Sequence, residues 1–136
     1  MANPSKQRRP GFRPGKNIAM KIPAHEFDAT LGFYRDVLGF MPIAGNAPGD
    51  SPPRFEFGDR VLWLDCVSGI SQTEIWLQVE TDDLPRAKAW LDQHGVARCD
   101  EIESLPKDFP GFWIAGPGNI IHLVSAGDNR EEDKWR

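Results

Sequence analysis

The sequence predicts an α+β protein made of two copies of one β-α-β-β-β grammar. Two stretches carry this reading: 17–40, NIAMKIPAHEFDATLGFYRDVLGF, and 73–96, TEIWLQVETDDLPRAKAWLDQHGV. Each reads as a strand, an amphipathic helix and a glycine stop. A third observation is that each is followed by short strand-like runs separated by Gly- and Pro-rich turns.

In the first copy the strand is 17–22, and Pro23 ends it. The helix is 27–38, with Phe27, Leu31, Tyr34, Val37 and Leu38 on one stripe at helical spacing. Gly39 stands where a helix ends in a left-handed residue, which glycine adopts cheaply. A short strand is expected at 40–43, and AGNAPGDSPP at 44–53 is a loop. Strands 54–57 and 60–67 flank Gly58-Asp59, a two-residue hairpin turn. In the second of these, Val61, Trp63 and Asp65 share one face, and Leu62, Leu64 and Cys66 the other.

After the connector 68–72 the second copy opens with strand 74–79. Asp82 or Asp83 caps its helix, and Pro85 sits in the first turn, where a missing N–H costs nothing. Leu84, Ala87, Leu91 and His94 form the stripe, and Gly95 is the stop. His94 lies in the last turn, where a cation suits the helix dipole. The remaining expected strands are 97–103, 112–115 and 120–125, with a proline-bounded loop at 104–110 and a turn at 116–119. The modules are therefore 17–67 and 73–126.

Two segments lie outside this scheme. Residues 1–16 are basic, with Lys6, Arg8, Arg9, Arg13 and Lys16, no acid and no apolar periodicity. They read as a draped arm, or as a segment that docks an acidic surface. Residues 127–136 form a charged tail in which Trp135 is the odd residue.

The bounds are those of an ordinary soluble protein. A chain of 136 residues fits one domain with a real core. Its formal charge of -4 argues against nucleic acid as a partner, and no apolar run is long enough for a membrane span. Basic residues at the start have no apolar segment behind them, so a secretory signal is not expected. Cys66 and Cys99 are isolated; a disulfide stays open, but two thiols in a reducing cytoplasm is the reading adopted. There is no GxGxxG, Walker loop or Gly-x-Ser-x-Gly, so nucleotide cofactors and a serine nucleophile have no support.

Three segments in order carry a resemblance: FYRDVLGF at 33–40, the strand and DDL at 78–84, and GPGNIIHLVS at 116–125. Over roughly residues 17–126 the chain resembles the vicinal oxygen chelate superfamily, which holds glyoxalase I, bleomycin-resistance proteins and extradiol dioxygenases. That resemblance implies paired modules curled into a cup-shaped mixed sheet with one cavity, helices outside, and a homodimer. Metal-dependent members place a ligand on the first and last strand of each half. The matching positions here are Ala19, Trp63, Glu74 and His122. Only Glu74 and His122 can coordinate, so the resemblance implies a small-molecule-binding protein without the metal tetrad and without a cofactor. The alternative is a metal-dependent lyase, isomerase or dioxygenase holding a divalent ion at Glu74 and His122. A third ligand would then come from Asp65, Gln78 or an inward-folded His25.

The candidate site follows from strand parity and this resemblance. Glu74 and His122 are the candidate catalytic pair, with the carboxylate fixing the imidazole tautomer; otherwise His122 is a hydrogen-bonded core residue. Trp63 and Trp76 either fill the cavity or stack on a flat ligand. Lys21 either meets an anionic ligand or is a charge at the strand mouth. Asp65 and Gln78 complete the ligand-binding set, and Trp113 is core or pocket wall.

Overall fold

Alternation along the first strand decides which side chains meet a helix and which do not. In the protein, a computed structural model described over residues 8–44 and 52–127, this strand is β1, Phe12–Pro23. Segment 1–7 of the expected arm, 45–51 of the expected loop and the tail from residue 128, with Trp135, lie outside the described residues. The order continues with α1 (Ala24–Gly32), β2 (Arg54–Phe57), β3 (Arg60–Val67), β4 (Glu74–Thr81), α2 (Leu84–Gln93), β5 (Ala97–Arg98), β6 (Gly111–Ala115) and β7 (Ile121–Ala126). The class is α+β, as expected. The strands form a mixed sheet in the order β2-β3-β1-β4-β7-β6-β5, with β1 parallel to β3 and the pairs β2-β3, β5-β6 and β6-β7 antiparallel.

Contacts divide the described chain into two units, 16–77 and 8–15 with 78–127. In the 16–77 unit, Ile22, Phe55, Leu62 and Leu64 form the buried core, covered by Phe27 and Leu31 of α1 and by Tyr34 and Phe40. β1 runs straight into α1 because Pro23, at φ -55° and ψ 142°, is both the last extended residue and the helix N-cap. No residues separate them, and the helix starts three residues earlier than the expected 27. The helix also ends differently. Phe33–Val37 is one wider π-type turn in which the Leu38 N–H donates to the Phe33 carbonyl at 2.9 Å. Gly39 then takes φ +72°, the left-handed stop read from the sequence. The strand expected at 40–43 is reduced to one bridge, Pro42 to Phe55.

In the other unit, Phe112, Ile114 and Val124 are packed by Phe12, Leu84, Leu91 and Val96. Asp83 caps α2, accepting from the Arg86 N–H at 3.1 Å, and Pro85 sits in the first turn. β5 stops at Arg98, well short of the expected 103. Asp100 Oδ1 accepts the Trp113 N–H at 3.1 Å, so a side chain takes a donor that a longer ladder would use.

The basic arm needs correcting from Phe12 onward. β1 begins inside the segment read as an arm. The Thr81 hydroxyl donates to the Gly11 carbonyl at 2.8 Å, and Arg13 reaches Glu80, Asp82 and the Gly127 carbonyl. Gly15 lies flush on Gln78: a Cβ there would fall 2.5 Å from the Gln78 side chain. No apolar periodicity announces this strand, because Phe12 is its one core contact before Lys16 and polar contacts and a close glycine approach hold the rest.

Candidate ligand site

The 16–77 unit has one face toward its helix core and one face away from it. With Ile18, Met20 and Ile22 in the core, alternation sends Asn17, Ala19 and Lys21 to the other side of β1. On β3 the same rule sends Trp63 and Asp65 there, since Leu62 and Leu64 are core. The parallel register sets Ala19 opposite Trp63 and Lys21 opposite Asp65.

Side chains on this face engage one another. Lys21 Nζ donates to Asp65 Oδ2 at 2.5 Å and stands 4.2 Å from the centre of the Trp76 ring. The lysine side chain is 7% exposed and the aspartate 22%. Trp76, itself buried, donates its indole N–H to Glu74 Oε1 at 3.0 Å. The Trp63 indole N–H donates to Asn17 Oδ1 at 2.8 Å, and the Arg54 guanidinium lies 4.8 Å over the Trp63 ring. Arg54 is buried and also donates to the Ala44 carbonyl. Both indoles therefore have a cation on the ring and a fixed N–H, which holds them as rigid walls.

Five of the expected site residues, Lys21, Trp63, Asp65, Glu74 and Trp76, belong to this unit. Gln78 belongs to the other. There its amide donates to the Ser125 hydroxyl at 3.0 Å, in buried surroundings. His122 was expected on the same side as these groups. The regular β6–β7 register pairs Ile114 with His122 and Phe112 with Val124. These pairs share a face with the core cluster of α2, so His122 stands on the face of β7 opposite Ser125. Its Nδ1 is 3.0 Å from the Ile120 carbonyl, and Gly116 lies against the ring. The imidazole is thus tied to its own turn. Trp113 is a buried residue whose indole N–H donates to the Glu103 carbonyl. His25 is on the surface near Glu26, and His94 Nδ1 sits at the Trp90 carbonyl in the last turn of α2.

Two residues of this face were not singled out from sequence, Asn17 and Arg54. Asn17 shares the parity of Ala19. Arg54 follows from the hairpin: the turn Gly58-Asp59 pairs Phe57 with Arg60, and counting back puts Arg54 opposite Trp63.

Both cysteines are free thiols. Burial pushes the Cys99 thiol pKa up, with the charges of Asp100 and Glu101 adding to it and Arg98 opposing.

Neither a family model nor a curated protein matches the sequence. Solved structures do match. A Mn(II)-bound glyoxalase from Novosphingobium aromaticivorans is 20% identical with a TM-score of 0.58, over 83% of this chain and 38% of that one. Homoprotocatechuate 2,3-dioxygenase from Brevibacterium fuscum, in complex with 3,4-dihydroxyphenylacetate, is 15% identical with a TM-score of 0.55, over 86% and 37%. Methylmalonyl-CoA epimerase from Mycobacterium tuberculosis is 12% identical with a TM-score of 0.55, over 88% and 91%. The chain shares the fold of the matched regions of these three proteins. This chain spans less than two fifths of the glyoxalase and of the dioxygenase, and most of the epimerase.

The residues of the 16–77 face do not fit a divalent ion. Ala19 has no donor atom and the Trp63 indole nitrogen has no available lone pair, while an ammonium already sits on Asp65. Among the described residues, no group of three His, Cys, Asp or Glu side chains is arranged to hold a metal ion.

Proposed function

We propose that this protein binds a small organic molecule on the Lys21–Trp63–Asp65–Trp76 face, without the metal tetrad, as a homodimer. The observation that carries the reading is the pairing of Ala19 with Trp63 across β1 and β3. These are two of the four positions where metal-dependent relatives are expected to place ligands, and neither side chain coordinates. What stands around them instead is two indole walls, an ammonium–carboxylate pair and a guanidinium. Apolar walls with a few placed polar groups are the ordinary make-up of a small-molecule site. The metal-dependent alternative would need Glu74 and His122 as a pair. Glu74 accepts from Trp76, and His122 is tied to its own turn, so no specific contact favours it.

Native mass spectrometry of protein purified without chelator tests both parts. The expected species is a dimer with no stoichiometric metal increment. One transition metal per chain, lost in His122→Ala, would replace this reading with the metalloenzyme.

A cytoplasmic location is proposed with it, supported by two free thiols. Acid-quenched cells alkylated under denaturing conditions should yield chains with two adducts each. Chains recovered as an oxidised Cys66–Cys99 pair would point to an oxidising compartment. Among the described residues no helix is long and apolar enough to cross a membrane.

A further inference from the structure

We infer that a second copy of this chain covers the apolar end of the 16–77 unit, around the wide turn Phe33–Val37; this rests on the homodimer reading above and assigns its surface.

The core of that unit runs open to water at one end. From the buried Phe55 ring, Tyr34 lies at 6.3 Å, Phe40 5.8 Å beyond Tyr34, and Phe57 5.8 Å beyond Phe40. Phe33 stands edge-on to Tyr34 at 5.2 Å. The Leu38 N–H donates to the Phe33 carbonyl and the Glu56 N–H to the Met41 carbonyl, which holds Leu38 and Met41 beside these rings. Phe33, Val37, Leu38, Met41 and Phe57 are between 40% and 73% exposed. The wide turn accounts for two of them. At α-helical spacing Leu38 would continue the stripe of Phe27, Leu31 and Tyr34 onto the core. The π-type turn adds one residue to that spacing, and Val37 and Leu38 come off the core.

The undescribed parts of the chain lack the side chains to cover this end. The neighbouring segment 45–51, GNAPGDS, has no large apolar residue, and outside the described residues only Met1 and Trp135 are of that kind. A second copy brings five, and two-fold symmetry sets the same patch against itself. Weighted by exposure, the five side chains present on the order of 500 Å² of apolar surface. A standard interface takes about 800 Å² from each partner, rather more than half of it apolar, so the patch matches the apolar share of one side. The charges beside it point the same way. Arg35 in the turn is paired with Asp36, and Arg60, opposite Phe57 in the hairpin, with Asp59. Such a neutral rim does not repel an identical surface, and its cations are already engaged, which disfavours an anionic lipid surface or nucleic acid as the partner.

Sedimentation velocity of the full chain tests the assignment, with folding checked by circular dichroism. The unaltered chain should sediment as a dimer. Val37→Asp and Met41→Asp should each raise the dimer dissociation constant roughly 100-fold or more, because symmetry buries every introduced carboxylate twice. These side chains are 73% and 62% exposed in the single chain, so neither variant removes core packing; should one unfold, the other still decides. Ile102→Asp, at an exposed apolar position in the other unit, should leave the dimer intact, and so should removal of residues 128–136. If the patch variants dimerise as tightly as the unaltered chain, or Ile102→Asp weakens the dimer as much as they do, the surface is wrong and the homodimer reading stands. Loss of the dimer on removing 128–136 would overturn the assignment in favour of the tail. A monomeric unaltered chain would sink the homodimer reading and the surface with it.

Discussion

Deleting residues 1–15 is expected to lower the melting temperature by roughly 20 °C or more, using the usual few degrees per kcal/mol for a domain of this size. The deletion removes the start of β1 from the 8–15 and 78–127 unit. Phe12 goes with it, a side chain packed on Phe112, Ile114 and Val124, and burying such a ring contributes about 2–3 kcal/mol. The Gly11 carbonyl goes too, leaving the fully buried Thr81 without that acceptor at a cost of about 1–3 kcal/mol. Gln78 loses the glycine it lies against. Arg13 adds little, because its side chain is 42% exposed and surface ion pairs contribute about 0–1 kcal/mol. Against a total stability of about 5–15 kcal/mol, these losses are a large fraction. Calorimetric melts of the full and truncated chains decide it. A truncated chain melting within a few degrees of the full one would return residues 8–15 to the status of a draped arm. Phe12→Ala is the milder check, with a smaller fall in the same direction.

That expectation reverses the one drawn from sequence, and the reason is physical. Periodicity reports apolar burial, so it found β3, α2 and β7, which supply Leu62 and Leu64, Leu84 and Leu91, and Val124 to the two cores. It was blind to Phe12–Lys16, where a single buried ring makes no period and the rest of the strand is held by a glycine approach and polar contacts. Helix ends were also poorly legible. Pro23 looked like a break but serves as an N-cap, and nothing in FYRDVLGF distinguishes a π-type turn from α-helix. For β5, an aspartate side chain outcompeted the ladder, which propensity along one strand does not register.

For the candidate site, parity was enough wherever a strand has one clear core face. Trp63 and Asp65 were read as facing away from Leu62 and Leu64, and they do. His122 shows the limit. Its strand has buried residues on both faces, Ile121 and Leu123 on one and Val124 on the other. Hydrophobicity therefore does not choose a face there. The resemblance supplied the missing choice, and the β6–β7 register made the opposite one.

Asp65→Ala is expected to destabilise the protein by about 3–5 kcal/mol, and Lys21→Met by less, about 1–2 kcal/mol. The two changes break one contact but leave different charges behind. Without Asp65, the Lys21 ammonium keeps its place on β1 with 7% of its side chain exposed and its carboxylate partner gone. The Trp76 ring offsets only part of that cost, since a cation–π contact contributes about 0.5–2 kcal/mol. Without Lys21, the carboxylate retains 22% exposure and water can reach it, while methionine keeps most of the buried stem's volume. Urea unfolding of both single variants measures the difference, and equal costs, or a larger cost for Lys21→Met, would contradict it. The double change, Lys21→Met with Asp65→Leu, separates charge from packing. If the penalty in Asp65→Ala comes from a buried ammonium that has lost its carboxylate, removing both charges should recover most of the loss, because an apolar pair of similar size carries no charge to desolvate. If the penalty is lost packing between β1 and β3, the double variant should be no more stable than Asp65→Ala.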